Sequence, residues 1–317
     1  MSLSAALNTL KSSNIISWKP SGRFQQTLAE CIELSGIGLH SGKPSTVKLW
    51  PELAGKGRYF QFKSESIPAS IGFAAKHSQS PLCTTLSKDG LQIRTVEHLL
   101  SALEATGVHN CRIQIHNFDS EEDQLVEVPI FDGSASTWVE AIQQVGVVAA
   151  LDQHGNNDEN MLAYLNEPVH MWRNDSFVAA FPCPKVQITY GIDFPQVPAI
   201  GCKWFSSTPL DDDFYEKHIA SSRTFCIFEE VERMRDAGLI KGGSLDNAIV
   251  CSASKGWLNP PLRFHDEPCR HKVLDLVGDI SLFARSGSQG LPVAHIVAFK
   301  GGHALHTDFV RRLSQMV

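Results

Sequence analysis

The nine residues DQHGNNDEN, 152–160, divide this 317-residue chain in two. They are polar and carry no apolar period, while the segments on either side do, which is the pattern of a linker between domains. A split near residue 150 also matches the usual size of one domain. On each side, short segments with apolar residues near period two alternate with longer segments of helical period. Before the linker, 46–49, 111–116 and 126–131 read as strands. One helix starts after Thr95 as N-cap and ends near Gly107 as C′ residue, and a second runs from Ser134 toward Val145 after the turn Asp132-Gly133. Beyond it, 161–164, 177–181, 186–192 and 294–299 read as strands, and 211–220, 229–237 and a segment from about His271 as helices. Each half is therefore expected to be α+β in layers. No repeat relates the two halves in sequence, so any likeness between them has to be structural. The expected division is a leading segment 1–22, a first domain 23–150, a linker 151–160 and a second domain 161–317.

Composition narrows the function. Hydrophobic residues at 43% and charged residues at 20% are the proportions of a globular chain with a sizeable core. The longest apolar run is far below the roughly 20 residues of a spanning helix, so no transmembrane segment is expected. A net charge of −6 gives no drive toward nucleic acid. The eight cysteines form no C-x-x-C pair, so a metal site has to come from histidines and carboxylates. Residues 1–29 lack any acidic residue and carry three basic residues and several serines, the composition of an organellar transit peptide. Mitochondrial import is expected, with a plastid as the alternative.

The most informative stretch is HKVLDLVGD, 271–279. At about 100° per residue, Val273, Leu276, Val277, Ile280 and Phe283 share one helix face, and His271, Asp275 and Asp279 share the opposite one. His and Asp one turn apart can reach the same metal ion, and Gly278 beside them lets another element approach closely. A second helix carries Glu97 and His98, with Val96, Leu100 and Leu103 forming its apolar stripe. Two His and one Asp leave an open position for water, the arrangement of a catalytic ion, and a neighbouring carboxylate can take the water's proton. A general acid could come from GGHAL, 301–305, as His303, with His306 a nearby competitor.

Several motifs in order carry a resemblance to a family: SGIGLHSGK (35–43), RTVEHLLSAL (94–103), VPIFDGSAS (128–136), SSRTF (221–225), GLIKGGSLDNAIV (238–250), RHKVLDLVGD (270–279) and GGHAL (301–305). The chain resembles the UDP-3-O-acyl-N-acetylglucosamine deacetylases, the zinc enzymes of lipid A synthesis. The resemblance implies two α+β domains of similar layered topology, with helices sandwiched between two β-sheets and the active site at the domain interface. It implies His98, His271 and Asp275 as zinc ligands, with iron(II) also compatible with that donor set. Glu97 is the implied general base and His303 the general acid, oriented by Asp279. Thr224 is the implied oxyanion donor, and Lys272 assists near the substrate's charged part. The segment 238–250 resembles the insert that houses the acyl chain, and Phe225, Leu239, Ile240, Leu245, Ala248 and Val250 are the implied substrate-binding residues. The implied partner is a small UDP-linked acyl sugar, bound by a monomer. Another acylated amide substrate, or a non-catalytic nucleotide- or lipid-binding descendant, are the competing functions. The second predicts lost ligands, and none is lost. A dinucleotide loop at Gly36-x-Gly38 lacks the later glycine.

Overall fold

A computed structural model describes residues 15–76, 82–117, 124–207 and 209–317. Its frame is two five-stranded sheets of matching topology. The first joins β3 (Ile32–Ile37), β4 (Pro44–Pro51), β5 (Arg58–Phe62), β6 (Glu65–Pro68) and β9 (Cys111–Asn117) in the order β3-β4-β9-β5-β6. The second joins β13 (Val169–Arg173), β14 (Ser176–Pro182), β15 (Gln187–Phe194), β16 (Gly201–Ser206) and β20 (Ala294–Phe299) in the order β13-β14-β20-β15-β16. In each sheet, the strand that comes last in sequence lies at the centre, antiparallel to one neighbour and parallel to the other. Alternation sets the inner faces: Ile113 and Ile115 of β9, and Ala294, Ile296 and Ala298 of β20, are all buried.

Helices supply the other layers. They are α1 (Glu97–Ala105), α2 (Ser136–Val145), α3 (Asp212–Tyr215), α4 (Phe228–Asp236), α5 (Glu267–Ile280) and α6 (His303–Ser314). The α1 and α5 helices pack on each other, α5 also on β15 and β16, α6 on β13 and β14, and α2 on β3. Residues 97–104 of α1 are all buried, as is nearly all of α5. A helix buried all round cannot keep its polar side chains in water, so those side chains need partners inside. Two small sheets complete the cover: β7 (Leu86–Lys88), β8 (Leu91–Arg94) and β10 (Leu125–Glu127), and β17 (Phe225–Ile227), β18 (Ile249–Ser252) and β19 (Gly256–Trp257). No helix among the described residues is long and apolar enough to cross a membrane. None of the eight cysteines forms a disulfide.

The leading segment departs from expectation. Residues 1–14 lie outside the described residues, but β1 (Ile16–Phe24) pairs antiparallel with β12 (Glu159–Leu165), Ile16 opposite Leu165 and Pro20 opposite Met161. Trp18 stacks on Phe283 at 5.7 Å. Residues 16–22 therefore belong to the fold, although they fall inside the stretch expected to lead into it. Acid-free composition does not oppose a strand, and Ile16 and Trp18 have two-residue spacing. Between the halves, β11 (Val147–Ala149) pairs with β2 (Gln26–Leu28), and β12 already starts at Glu159. The Asp152 carboxylate accepts from the amides of His154 and Asn156, which makes this stretch a tight turn.

Other differences are local. Thr95 does not cap α1; Val96 takes that position, and the Thr95 hydroxyl donates instead to Glu127 at 2.8 Å. The strand expected over 126–131 ends at Glu127, and Pro129, which has no N–H to give, makes one isolated bridge to Gly38. Segment 211–220 divides into α3 and a π-turn over Glu216–Ala220. The α5 helix starts four residues before His271, because Pro268 sits in its first turn, where proline is tolerated. His303 opens α6, an element the sequence reading left without a helix.

Candidate active site

Two helices meet at a glycine. A Cβ on Gly278 of α5 would lie 2.1 Å from the carbonyl oxygen of Glu97 on α1, so only glycine lets these backbones come so close. That contact brings Glu97 and His98 against the polar face of α5. His98 Nε2 lies 3.5 Å and His271 Nε2 3.4 Å from Asp275 Oδ1, and one donor atom from each of the three falls within 4.8 Å of the others. The His98 and His271 rings are 5.0 Å apart and nearly perpendicular.

His271 Nδ1 donates to the Ser222 carbonyl at 2.9 Å, which leaves Nε2 as the lone-pair nitrogen facing the cluster. Burial pushes His271 down to about 3. Burial opposes ionisation of Asp275, yet His271, Lys272 and His303 outweigh it and hold the carboxyl well below its usual range. Lys272 Nζ donates to Asp275 Oδ2 at 2.8 Å. Asp275 Oδ1, buried and facing two imidazole nitrogens, has no hydrogen-bond partner. A buried carboxylate oxygen without a donor is costly, and a cation at this point would satisfy it. Two imidazoles and a carboxylate are a donor set that fits a divalent ion.

Beside this cluster stands an acid–base pair. Glu97 Oε2 accepts from the Thr84 amide at 3.0 Å, and Glu97 Oε1 lies 3.7 Å from His303 Nε2. Burial pushes Glu97 up to about 7, against the opposing pull of His303. His303 Nδ1 donates to Asp279 Oδ2 at 2.8 Å. Burial disfavours its imidazolium, but Asp279, Glu97 and Asp275 together raise it to about 10. Asp279 is itself held on every side: it accepts from the Thr84 hydroxyl at 2.5 Å and from His306 Nδ1 at 2.8 Å. His306 is fully buried, and its Nε2 accepts from the Tyr190 hydroxyl at 2.9 Å. Of the two competing histidines, His303 lines the cavity and His306 supports Asp279 from behind.

These groups open onto a cavity of about 480 Å³. Glu97, His98, Thr224, Phe225, His271, Lys272, Asp275 and His303 all line it, as do Ile240, Leu245, Ala248 and Val250. Leu239 is the one expected substrate-binding residue that does not. Its amide bonds back to the Met234 carbonyl at the end of α4, which ties it to the helix terminus. The sequence reading missed Leu39 and His40, Leu82, and the Phe228, Val231 and Met234 stripe of α4. That stripe has helical spacing, and since α4 buries no residue in the core, its apolar side is free to wall the cavity. It also missed Thr84, which touches both Glu97 and Asp279.

A family model described as UDP-3-O-acyl N-acetylglycosamine deacetylase matches residues 25–315, which include every residue of this site. The chain belongs to that deacetylase family. A probable UDP-3-O-acyl-N-acetylglucosamine deacetylase 1, mitochondrial, of Arabidopsis thaliana is 66% identical over 303 residues, covering 96% of this chain and 92% of its own. UDP-3-O-acyl-N-acetylglucosamine deacetylases of Trichormus variabilis and a Synechocystis strain are 44% and 42% identical, each covering 91% of this chain and 98% of its own. The family match begins just after β1, so this strand, paired with β12, lies outside it.

Proposed function

We propose that this protein is a metal-dependent deacetylase that removes the N-acetyl group of UDP-3-O-acyl-N-acetylglucosamine, a step of lipid A biosynthesis. The observation that carries the reading is the joining of one donor cluster, one acid–base pair and one largely apolar cavity in a member of this family. His98, His271 and Asp275 would hold the ion, zinc being the first choice and iron(II) compatible. When bound there, it supplies Lewis acidity that polarises an amide carbonyl and makes water a stronger nucleophile.

The remaining work falls to side chains of this chain. Glu97, with a proton affinity near neutrality, takes a proton from the attacking water. As the water oxygen bonds to the amide carbon, Thr224 donates to the developing oxyanion, and such a donor contributes about 3–4 kcal/mol. His303, kept protonated by Asp279, gives its proton to the amide nitrogen as the C–N bond breaks. Acetate and a free amine leave. Lys272 neutralises Asp275 and assists at the substrate's charged part. Phe225, Ile240, Leu245, Ala248 and Val250 take the acyl chain. Phe228 and Leu245, 54% and 57% exposed, are apolar side chains that such a chain would cover.

All these residues come from one chain, so a monomer suffices. The mitochondrial name of the plant relative and the acid-free N-terminus support mitochondrial import. A reporter fused after residue 14 of this chain should then reach mitochondria, and a reporter that stays in the cytosol speaks against it. The function itself is tested by incubating metal-loaded protein with UDP-3-O-acyl-N-acetylglucosamine and weighing the products by mass spectrometry. Equal amounts of acetate and free amine are expected; intact substrate contradicts the reading.

A further inference from the structure

Two β-branched residues on the cavity wall have left-handed backbones, Thr95 at φ 58° and Ile240 at φ 48°. Such conformations are strained for branched side chains and persist only where surrounding contacts impose them. The two residues are far apart in sequence and come from different halves of the chain. Their restraints lead to the same side chain.

That side chain is Glu127, at the end of β10 and 3% exposed. Its Oε1 accepts from the Thr95 hydroxyl and from the His40 amide, both at 2.8 Å, and its Oε2 accepts from the Ser41 amide at 2.7 Å. Hydrogen bonds to a carboxylate are roughly twice as strong as neutral ones, and here three share one buried group. Gly38 makes room for it: a Cβ there would lie 2.5 Å from Glu127 Oε2. The turn that Glu127 holds is in turn docked on the other half. The Gly242 amide donates to the Leu39 carbonyl at 2.9 Å, the Lys241 amide to the His40 carbonyl at 3.3 Å, and the Ile240 amide to His40 Nδ1 at 3.3 Å. A Cβ on Gly242 would lie 2.3 Å from the Gly38 carbonyl oxygen, so this docking tolerates no side chain.

We propose that Glu127 is a positioning residue of the deacetylase, a single buried carboxylate that sets both the entry to the Glu97–His98 helix and the Ile240 wall of the cavity. The proposal rests on the acyl-sugar deacetylase reading for its kinetic consequences but not for its structural one. Through Thr95 it fixes the residue two places before Glu97. Through the turn at 38–42 it fixes Ile240, on the wall assigned to the acyl chain. Reacting end and chain-binding end are therefore held in one register.

The test uses Glu127→Gln, which keeps the size but replaces one of the two acceptor oxygens with an NH2 group, which cannot accept from an N–H or O–H donor. Deuterium exchange of the full-length, metal-loaded protein without substrate should show 94–99 and 239–243 losing protection together, with β20 unchanged. Kinetics should show kcat falling by about 100-fold, the cost of misplacing a reacting group by about 1 Å. KM should rise for a long-acyl substrate and stay level for a short-acyl analogue. Thr95→Val should lower kcat alone, and Thr95→Ser should restore it, so the idea remains testable if Glu127→Gln does not fold. Protection lost in neither or only one of the two segments overturns the proposal, as do equal KM changes for both chain lengths or a Thr95→Val enzyme of wild-type rate. An inactive wild type with the paired loss of protection intact overturns the deacetylase reading alone.

Discussion

Glu97 and His303 face each other across 3.7 Å, and their environments push them in useful directions. Burial lifts the carboxyl to about 7, while three carboxylates lift the imidazole to about 10, so near neutral pH one can accept a proton while the other holds one. Glu97 is not among the three converging donors, and this separates its role from theirs. Glu97→Ala should therefore retain one equivalent of metal while kcat falls by about 10²–10⁴-fold, measured by metal analysis beside acetate release. Loss of the metal in that variant would make Glu97 a ligand. At this scale the sequence was informative where spacing carries geometry. One helical turn separates His271 from Asp275, and Glu97 adjoins His98. Thr84 and Tyr190 could not be found that way, since they reach Asp279 and His306 from a loop and a strand through tertiary packing alone.

The pairing of α1 with α5 brings these residues together, and its tolerance is set by Gly278. The glycine was legible as a point of close approach, but what approaches it, the Glu97 backbone, is set only by the tertiary fold. Gly278→Ala must push the helices apart. Overpacking of this kind costs about 1–3 kcal/mol, and moving Glu97 and His98 away from α5 should weaken metal binding as well. Thermal unfolding and metal affinity should both drop; a variant with unchanged midpoint and affinity would show that the helices have slack there. The same limit explains other elements. β20 was readable as a short, mostly apolar run at 294–299, whereas α5 extends four residues ahead of the expected start at His271, with Pro268 in its first turn. The glycines at 301–302 read only as a point of close approach, and the structure adds that α6 starts directly after them, with Gly302 at its N-cap.

Across the whole molecule, two five-stranded sheets share one strand order, a likeness no residue-by-residue repeat announced. The junction of the halves also carries a pH dependence. Burial, with Arg58 adding to it, pushes His109 down to about 4, and its Nδ1 accepts from the Gln26 amide. The unfolded chain binds that proton near 6.5, the folded one only near 4, so stability is full above pH 7 and falls as pH drops through this window. From pH 7 to pH 5 the loss should be about 2 kcal/mol from this group. Urea unfolding of His109→Asn, which keeps an acceptor at the same place, should show a flatter dependence than the wild type. Identical slopes would mean that His109 does not titrate on unfolding. The proposed reaction requires one ion, which His98, His271 and Asp275 would hold at the head of the cavity. Its most direct test is acetate release by chelator-stripped protein as zinc is added back. Activity should rise linearly to one equivalent in the wild type and stay at background in Asp275→Ala. Activity that survives stripping, or that returns in Asp275→Ala, would contradict it.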